Sequence, residues 1–181
     1  MEKTAYAFRI VALDLRPRRF GFAVLEGPDR LLDWGIRTYP TQAVNISVVR
    51  KRIVPLLRMF SPSAVILPQQ LSSLKKCPAQ KACLQMVRRE ALRRSIQTDF
   101  VGKQEMKQTF KQFGESMTKH EIASQIALRF PELTWKLPAA RKPWQTEPHN
   151  QTIFDAIALG LTYCARFGPL QSETGRVTQP E

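Results

Sequence analysis

Acids, cysteines and histidines are scarce in this chain: 15 Asp and Glu stand against 28 Lys and Arg, with 3 Cys and 2 His in 181 residues. With so few acids the formal charge is +13 and the pI is near 10.2. That imbalance points to polyanionic partners, because lysines and arginines that neutralise phosphates release condensed counterions. The plainer alternative is a basic surface that keeps the chain in solution. Cys77, Cys83 and Cys164 match neither a CxxC zinc pattern nor a disulfide framework, which leaves buried thiols in a reducing compartment. No run reaches the ~18 apolar residues of a membrane helix. The opening MEKTAYAFRIVALDLRPRR, interrupted by Arg9 and Asp14, has neither the length nor the cleavage site of a signal peptide. A cytoplasmic protein without a membrane partner is therefore expected. Internal repeats and low-complexity tracts are missing too, which sets aside solenoids.

What remains fits one domain, residues 1–167, followed by a polar tail, 168–181, expected to be disordered. The first strand is expected at Tyr6–Leu15, with the apolar centre Ile10-Val11-Ala12-Leu13 of a buried central strand. Strands follow at Phe20–Leu25 and Leu31–Tyr39, joined by a Gly27-Pro28-Asp29-Arg30 hairpin loop. Apolar spacing predicts a helix over Val44–Phe60, with Pro55 as a possible kink. A short strand, Ser63–Leu67, is stopped by Pro68. Then come a basic helix at Pro78–Ser95, a strand at Ile96–Val101 and a helix at Glu105–Phe113. A helix at Thr118–Phe130 is announced by the capping-box pair Thr118 and Glu121. Pro131–Pro148 reads as an irregular loop, and Gln151–Arg166 as the last helix. An antiparallel meander followed by alternating helices and strands predicts an α/β fold with a mixed five-stranded sheet flanked by helices.

Asp14 ends the most apolar strand, where open α/β sheets place their ligands. A carboxylate there, followed by Arg16, Arg18 and Arg19, suits a divalent cation held near a phosphate. Equally, aspartates at strand ends often just open turns. Asp155 falls in the first turn of the last helix, where the dipole favours negative charge. It lies off the stripe of Ile153, Ile157 and Leu161, so it is expected to look along the sheet end rather than into the core. Between Lys75 and Lys111 the basic residues far outnumber Glu90, Asp99 and Glu105. Lys81, Arg88, Arg89, Lys103 and Lys107, with Lys119 beyond, are expected to track a phosphate backbone. Trp135 and Trp144 either stack on unpaired bases or pin the proline-rich loop to the domain.

Taken together, VALDLRPRRFGFAVLEG, LLDWGIRTY, PSAVILPQQ, VGKQEMKQTFKQFGESMTKHEIASQIA and HNQTIFDAIALGLTY resemble, in order, the motifs of RuvC-type Holliday junction resolvases. The likeness covers most of residues 6–165. It implies a ribonuclease-H-like fold whose carboxylates hold two Mg²⁺ (or Mn²⁺) ions, and an endonuclease that cuts branched DNA as a homodimer. Asp14 matches the family's first acid and Asp155 its last. Pro68-Gln69 stands where the family has a Glu, and Thr152 where it has an Asp or His. The related RuvX group likewise ends its fourth strand in Leu-Pro and takes an acid from just after its fifth strand, where Asp99 stands here. Asp99 is therefore the expected third catalytic acid, with Glu147 or His149 as possible replacements for Thr152. A set with Asp99 favours RuvX-like RNA processing. A set that stays at two acids implies a nucleic-acid-binding protein that has kept the fold and lost catalysis.

Overall fold

The computed structural model describes residues 8–39, 46–69, 78–114, 117–140, 142 and 144–168. Strand β1 (Arg9–Leu15) shows the period-two logic that organises everything else. Ile10 and Ala12 face one core with Ala23, Leu25, Ala64 and Ile66, while Val11, Leu13 and Leu15 face another with Phe20, Phe22, Val24, Val65 and Leu67. Both faces of the strand are thus apolar, so it must lie inside the sheet. The strand order is β3-β2-β1-β4-β5, with β2 (Arg19–Glu26), β3 (Arg30–Thr38), β4 (Ala64–Pro68) and β5 (Gln97–Val101). The β1–β2 and β2–β3 pairs are antiparallel, and β1–β4 and β4–β5 are parallel. This is the mixed five-stranded sheet that the sequence predicts.

Helices cover both faces. On the Val11 side lie α1 (Ile46–Phe60) and α2 (Pro78–Leu92). On the Ile10 side lie α4 (Lys119–Arg129) and α5 (Gln151–Ala165), with α3 (Lys103–Lys111) linking β5 to them. Helix α5 is buried almost all round, from Gln151 to Cys164, with Asp155 the exception. The sequence predicts a single apolar stripe; packing between the sheet and α4 buries more. Pro55 sits on the exposed face of α1 without ending it. Thr118 and Glu121 form the expected capping box.

Several boundaries move by one to three residues, among them both ends of α3, which spans Lys103–Lys111 rather than Glu105–Phe113. Helix α2 stops at Leu92 rather than Ser95, because Ser95 adopts φ 57° and the Ile96 N–H bonds the Ala91 carbonyl at 3.0 Å. This left-handed closure turns the chain straight into β5. The proline-rich stretch opens with a 3₁₀ helix, Pro131–Lys136, instead of being irregular throughout. Tyr6, residues 44–45, Cys77 and the tail from 169 onward lie outside the described residues. Cys83 and Cys164 are buried and neither forms a disulfide. Among the described residues no helix is long and apolar enough to cross a membrane.

Candidate active site

Asp14 shares the parity of Ile10 and Ala12, so its side chain leaves β1 on the face covered by α5. Its partner across the β1–β2 ladder is Gly21. A Cβ added there would stand 2.1 Å from the Thr152 carbonyl oxygen, so only glycine lets the first turn of α5 lie on β2 at this point. That close approach brings Asp155, less than one turn further along α5, over the end of β1.

The two aspartates meet through Arg16. Its Nε donates to Asp14 Oδ2 at 2.7 Å, its Nη2 to Asp155 Oδ2 at 2.5 Å, and its Nη1 to Glu147 Oε2. Each guanidinium nitrogen thus serves a different carboxylate. Lys119 Nζ adds a second cation, donating to Asp155 Oδ2 at 2.9 Å and to Glu147 Oε1. The other Asp155 oxygen accepts from Gln151 Nε2 at 2.9 Å. Burial raises Asp14 to a pKa of about 6, against the opposing pull of Arg16 and with the help of Asp155. Burial also acts to raise Glu147, but Lys119 and Arg16 hold it below the usual carboxylate range.

The structure therefore brings Asp14 and Asp155 together and adds Glu147, one of the two expected substitutes for Thr152. Asp99 stays away. Strand β4 lies between β1 and β5, so Asp99 is about 10 Å sideways from β1, and its register with Ile66 and hence Ala12 leaves it about 7 Å short of Asp14 along the strands. Arg166 holds it there, Nη1 to Oδ2 at 2.9 Å, together with Glu105. Asp99, expected as the third acid, therefore lies outside the set that Arg16 joins. Partial burial, with Arg19 and Lys136 nearby, pushes the His149 imidazole down. Thr152 is buried and accepts from Arg19 Nε at 2.9 Å.

The expected phosphate-tracking residues fall in three places. Lys81 stands beside Gln80, whose Nε2 donates to the Leu15 carbonyl at 2.6 Å, so the start of α2 lies at the Asp14 end of the sheet. Lys103 and Lys107 are exposed on α3, which leaves from the same end of β5. Arg88 and Arg89 instead border a groove of about 550 Å³ with Gln97 and Thr98, at the opposite end. Lys119 belongs to the acid cluster. Trp135 and Trp144 are 73% and 78% exposed, so neither is pinned deeply; Lys142 stacks on Trp144 at 5.4 Å.

Arg16 is the site residue that sequence reasoning misses. The sequence shows it only as part of the basic turn after Asp14, yet at two residues past Asp14 it shares that residue's parity and turns inward. Carboxylates of Asp14, Glu147 and Asp155 are hard oxygen donors of the kind Mg²⁺ or Mn²⁺ takes, and the Arg16 guanidinium is a stand-in cation at their centre. By donor chemistry the set suits one such ion. It does not fit a pair, since Pro68 and Thr152 bring no carboxylate. Among the described residues no group of three or more Asp, Glu, His or Cys side chains is arranged to hold a metal ion, so the fit is one of donor chemistry and not of spacing.

No protein-family model and no curated protein matches the chain. Solved structures do. RuvC of Thermus thermophilus, both alone and in complex with a Holliday junction substrate, superposes with a TM-score of 0.66 at 20% identity, covering 89% of this chain and 97% of RuvC. The yeast mitochondrial Holliday junction resolvase Ydc2 gives 0.56 at 11% identity, over 91% of this chain and 87% of its own. The alternating burial of β1, the crossing of α5 over Gly21 and these superpositions agree: the chain has the RuvC-type ribonuclease-H-like fold.

Proposed function

We propose that this protein is a divalent-cation-dependent endonuclease acting on branched DNA, with Holliday junctions as the substrate class. The observation that carries the reading is the convergence of Asp14, Glu147 and Asp155 at the end of β1. Asp14 and Asp155, with Glu147, are the residues to hold Mg²⁺ or Mn²⁺. When bound, such an ion supplies Lewis-acid stabilisation of charge on the phosphate and an activated water. Lys119, already ion-paired at this edge, offsets the negative charge that a phosphate brings to the acids. The exposed Lys81, Lys103 and Lys107 hold the backbone on either side, while Arg88 and Arg89 extend the basic surface along α2. Two copies related by a two-fold axis would match the two equivalent strands of a four-way junction.

A second reading is binding without cleavage. It is favoured by Arg16, which neutralises the acids from within, and by Pro68 and Thr152. The RuvX-like RNA-processing reading has no support with Asp99 outside the cluster. The test is incubation with four-way DNA junctions, linear duplex and structured RNA, with and without Mg²⁺ or Mn²⁺. Junction cleavage that requires the ion and disappears in both Asp14→Asn and Asp155→Asn supports the nuclease. Binding that survives both substitutions, with no cleavage at any protein concentration, leaves the binding protein. Cleavage confined to RNA overturns the substrate class.

A further inference from the structure

We propose that Arg16 is a resident counter-cation that competes with the divalent ion for the same three carboxylates, so that the ion enters only as the guanidinium leaves. This rests on the nuclease reading for its purpose, though not for its chemistry. All three guanidinium nitrogens are engaged, each with a different acid: Asp14, Glu147 and Asp155. Few arginines are used so fully, because the planar fork usually meets one carboxylate with two of its nitrogens. Here the fork lies between the three acids and pairs with each of them.

Charge counting favours exchange over co-occupancy. Asp14, Glu147 and Asp155 with Arg16 and Lys119 sum to −1, all five being ion-paired in one network. A divalent ion added to that set would make it +1 and would meet the guanidinium at close range. The same ion in place of Arg16 brings the set to neutrality. Lys119 is not equivalent to Arg16: it pairs with Glu147 and Asp155 from the more exposed side and acts on Asp14 only through its charge, without a hydrogen bond to it.

Arg16 also has a way out. It sits in the turn between β1 and β2, where its N–H bonds the Arg19 carbonyl at 2.9 Å, and its side chain is 25% exposed. Asp14, by contrast, is anchored in the central strand and has a side chain only 9% exposed. On exchange the arginine moves and the aspartates stay. A merely structural clamp would behave differently, since its removal would loosen the acids and weaken any metal site they form.

Mn²⁺ binding to the full chain, followed by isothermal titration calorimetry, separates the two. Arg16→Gln is expected to bind Mn²⁺ at least tenfold more tightly than wild type, and Asp14→Asn in that background should abolish the gain. Arg16→Lys, which keeps the charge but has a single donor group, should fall between and guards against misfolding of the glutamine variant. Equal or weaker binding by a folded Arg16→Gln or Arg16→Lys protein overturns the proposal, as does absence of Mn²⁺ binding in wild type, Arg16→Gln and Arg16→Lys alike. Tighter binding without junction cleavage leaves the proposal standing and removes the nuclease reading. Junction cleavage by wild type with unchanged Mn²⁺ affinity in the variants does the reverse.

Discussion

Gly21 and Thr152 touch backbone to backbone: a Cβ on Gly21 would come within 2.1 Å of the Thr152 carbonyl oxygen and 2.7 Å of its carbonyl carbon. The obstacle is main chain inside a buried helix, so no rotamer change relieves it. Gly21→Ala should push the start of α5 off β2 and part Asp155 from Asp14. Overpacking of this kind costs roughly 1–3 kcal/mol. The expected outcome is a lower urea midpoint and loss of junction cleavage, while Gly114→Ala on the surface leaves both unchanged.

Glu147 and Asp99 make opposite predictions. Glu147→Gln removes a carboxylate bonded by Arg16 and Lys119 and should reduce Mn²⁺ affinity and cleavage about tenfold or more, of the order seen when partners of a metal site are lost. Asp99→Asn breaks only a half-exposed pair with Arg166 and should cost less than about 1 kcal/mol, with cleavage unchanged. Single-turnover rates on a junction check both. A large loss in Asp99→Asn would restore the RuvX-like site.

Asp14 sets a pH dependence. Its carboxyl titrates at about 6 in the folded chain against an ordinary aspartate value of 3.8, chiefly because it is buried. Between those values the folded state binds more protons than the unfolded state, so this group makes stability fall as pH rises from about 4 to 6. Asp14→Asn removes that dependence. Its Tm should exceed the wild-type value by a few degrees at pH 7, and the gap should close near pH 4. A gap that is constant with pH contradicts the assignment.

Glu90 joins the two helices behind the sheet. Its side chain is 4% exposed and accepts from Arg50 of α1 and from Arg93 and Arg94 just past α2, which holds its carboxyl below the usual range. Glu90→Gln should destabilise by about 1–3 kcal/mol, since three donors lose their charged acceptor. Chemical denaturation measures it, and cleavage per folded molecule should not change.

Lys81 and Lys103 flank the acid end of the sheet. Replacing both with Ala should weaken junction binding across sequences and lower the slope of log affinity against log salt by about 2. An unchanged slope would place the DNA elsewhere.

Much of this is legible in the sequence because it depends on local pattern. The apolar centre of β1 predicts a buried strand, and Thr118 with Glu121 predicts a helix start that the structure contains. Asp14 and Asp155 stand at element ends, where side chains point toward a shared edge. The end of α2 and the 3₁₀ helix are not legible. Ser95 takes its left-handed conformation only because β5 must start beside β4, and no residue preference announces that in a serine.

The sequence by itself determined a basic α/β chain with five strands in this order and an aspartate at each end of the framework, since period-two burial and helix-start signals act within a few residues. Which acids share a site was decided by tertiary structure alone. Asp99 precedes Gly102 and α3 much as a site acid should, but β4 separates it from β1 and Arg166 takes its charge. Glu147 lies in a stretch with no periodicity, yet the loop before α5 delivers it to Arg16. Distances across a sheet depend on strand order, and ion pairs form with whatever charge packing places within reach.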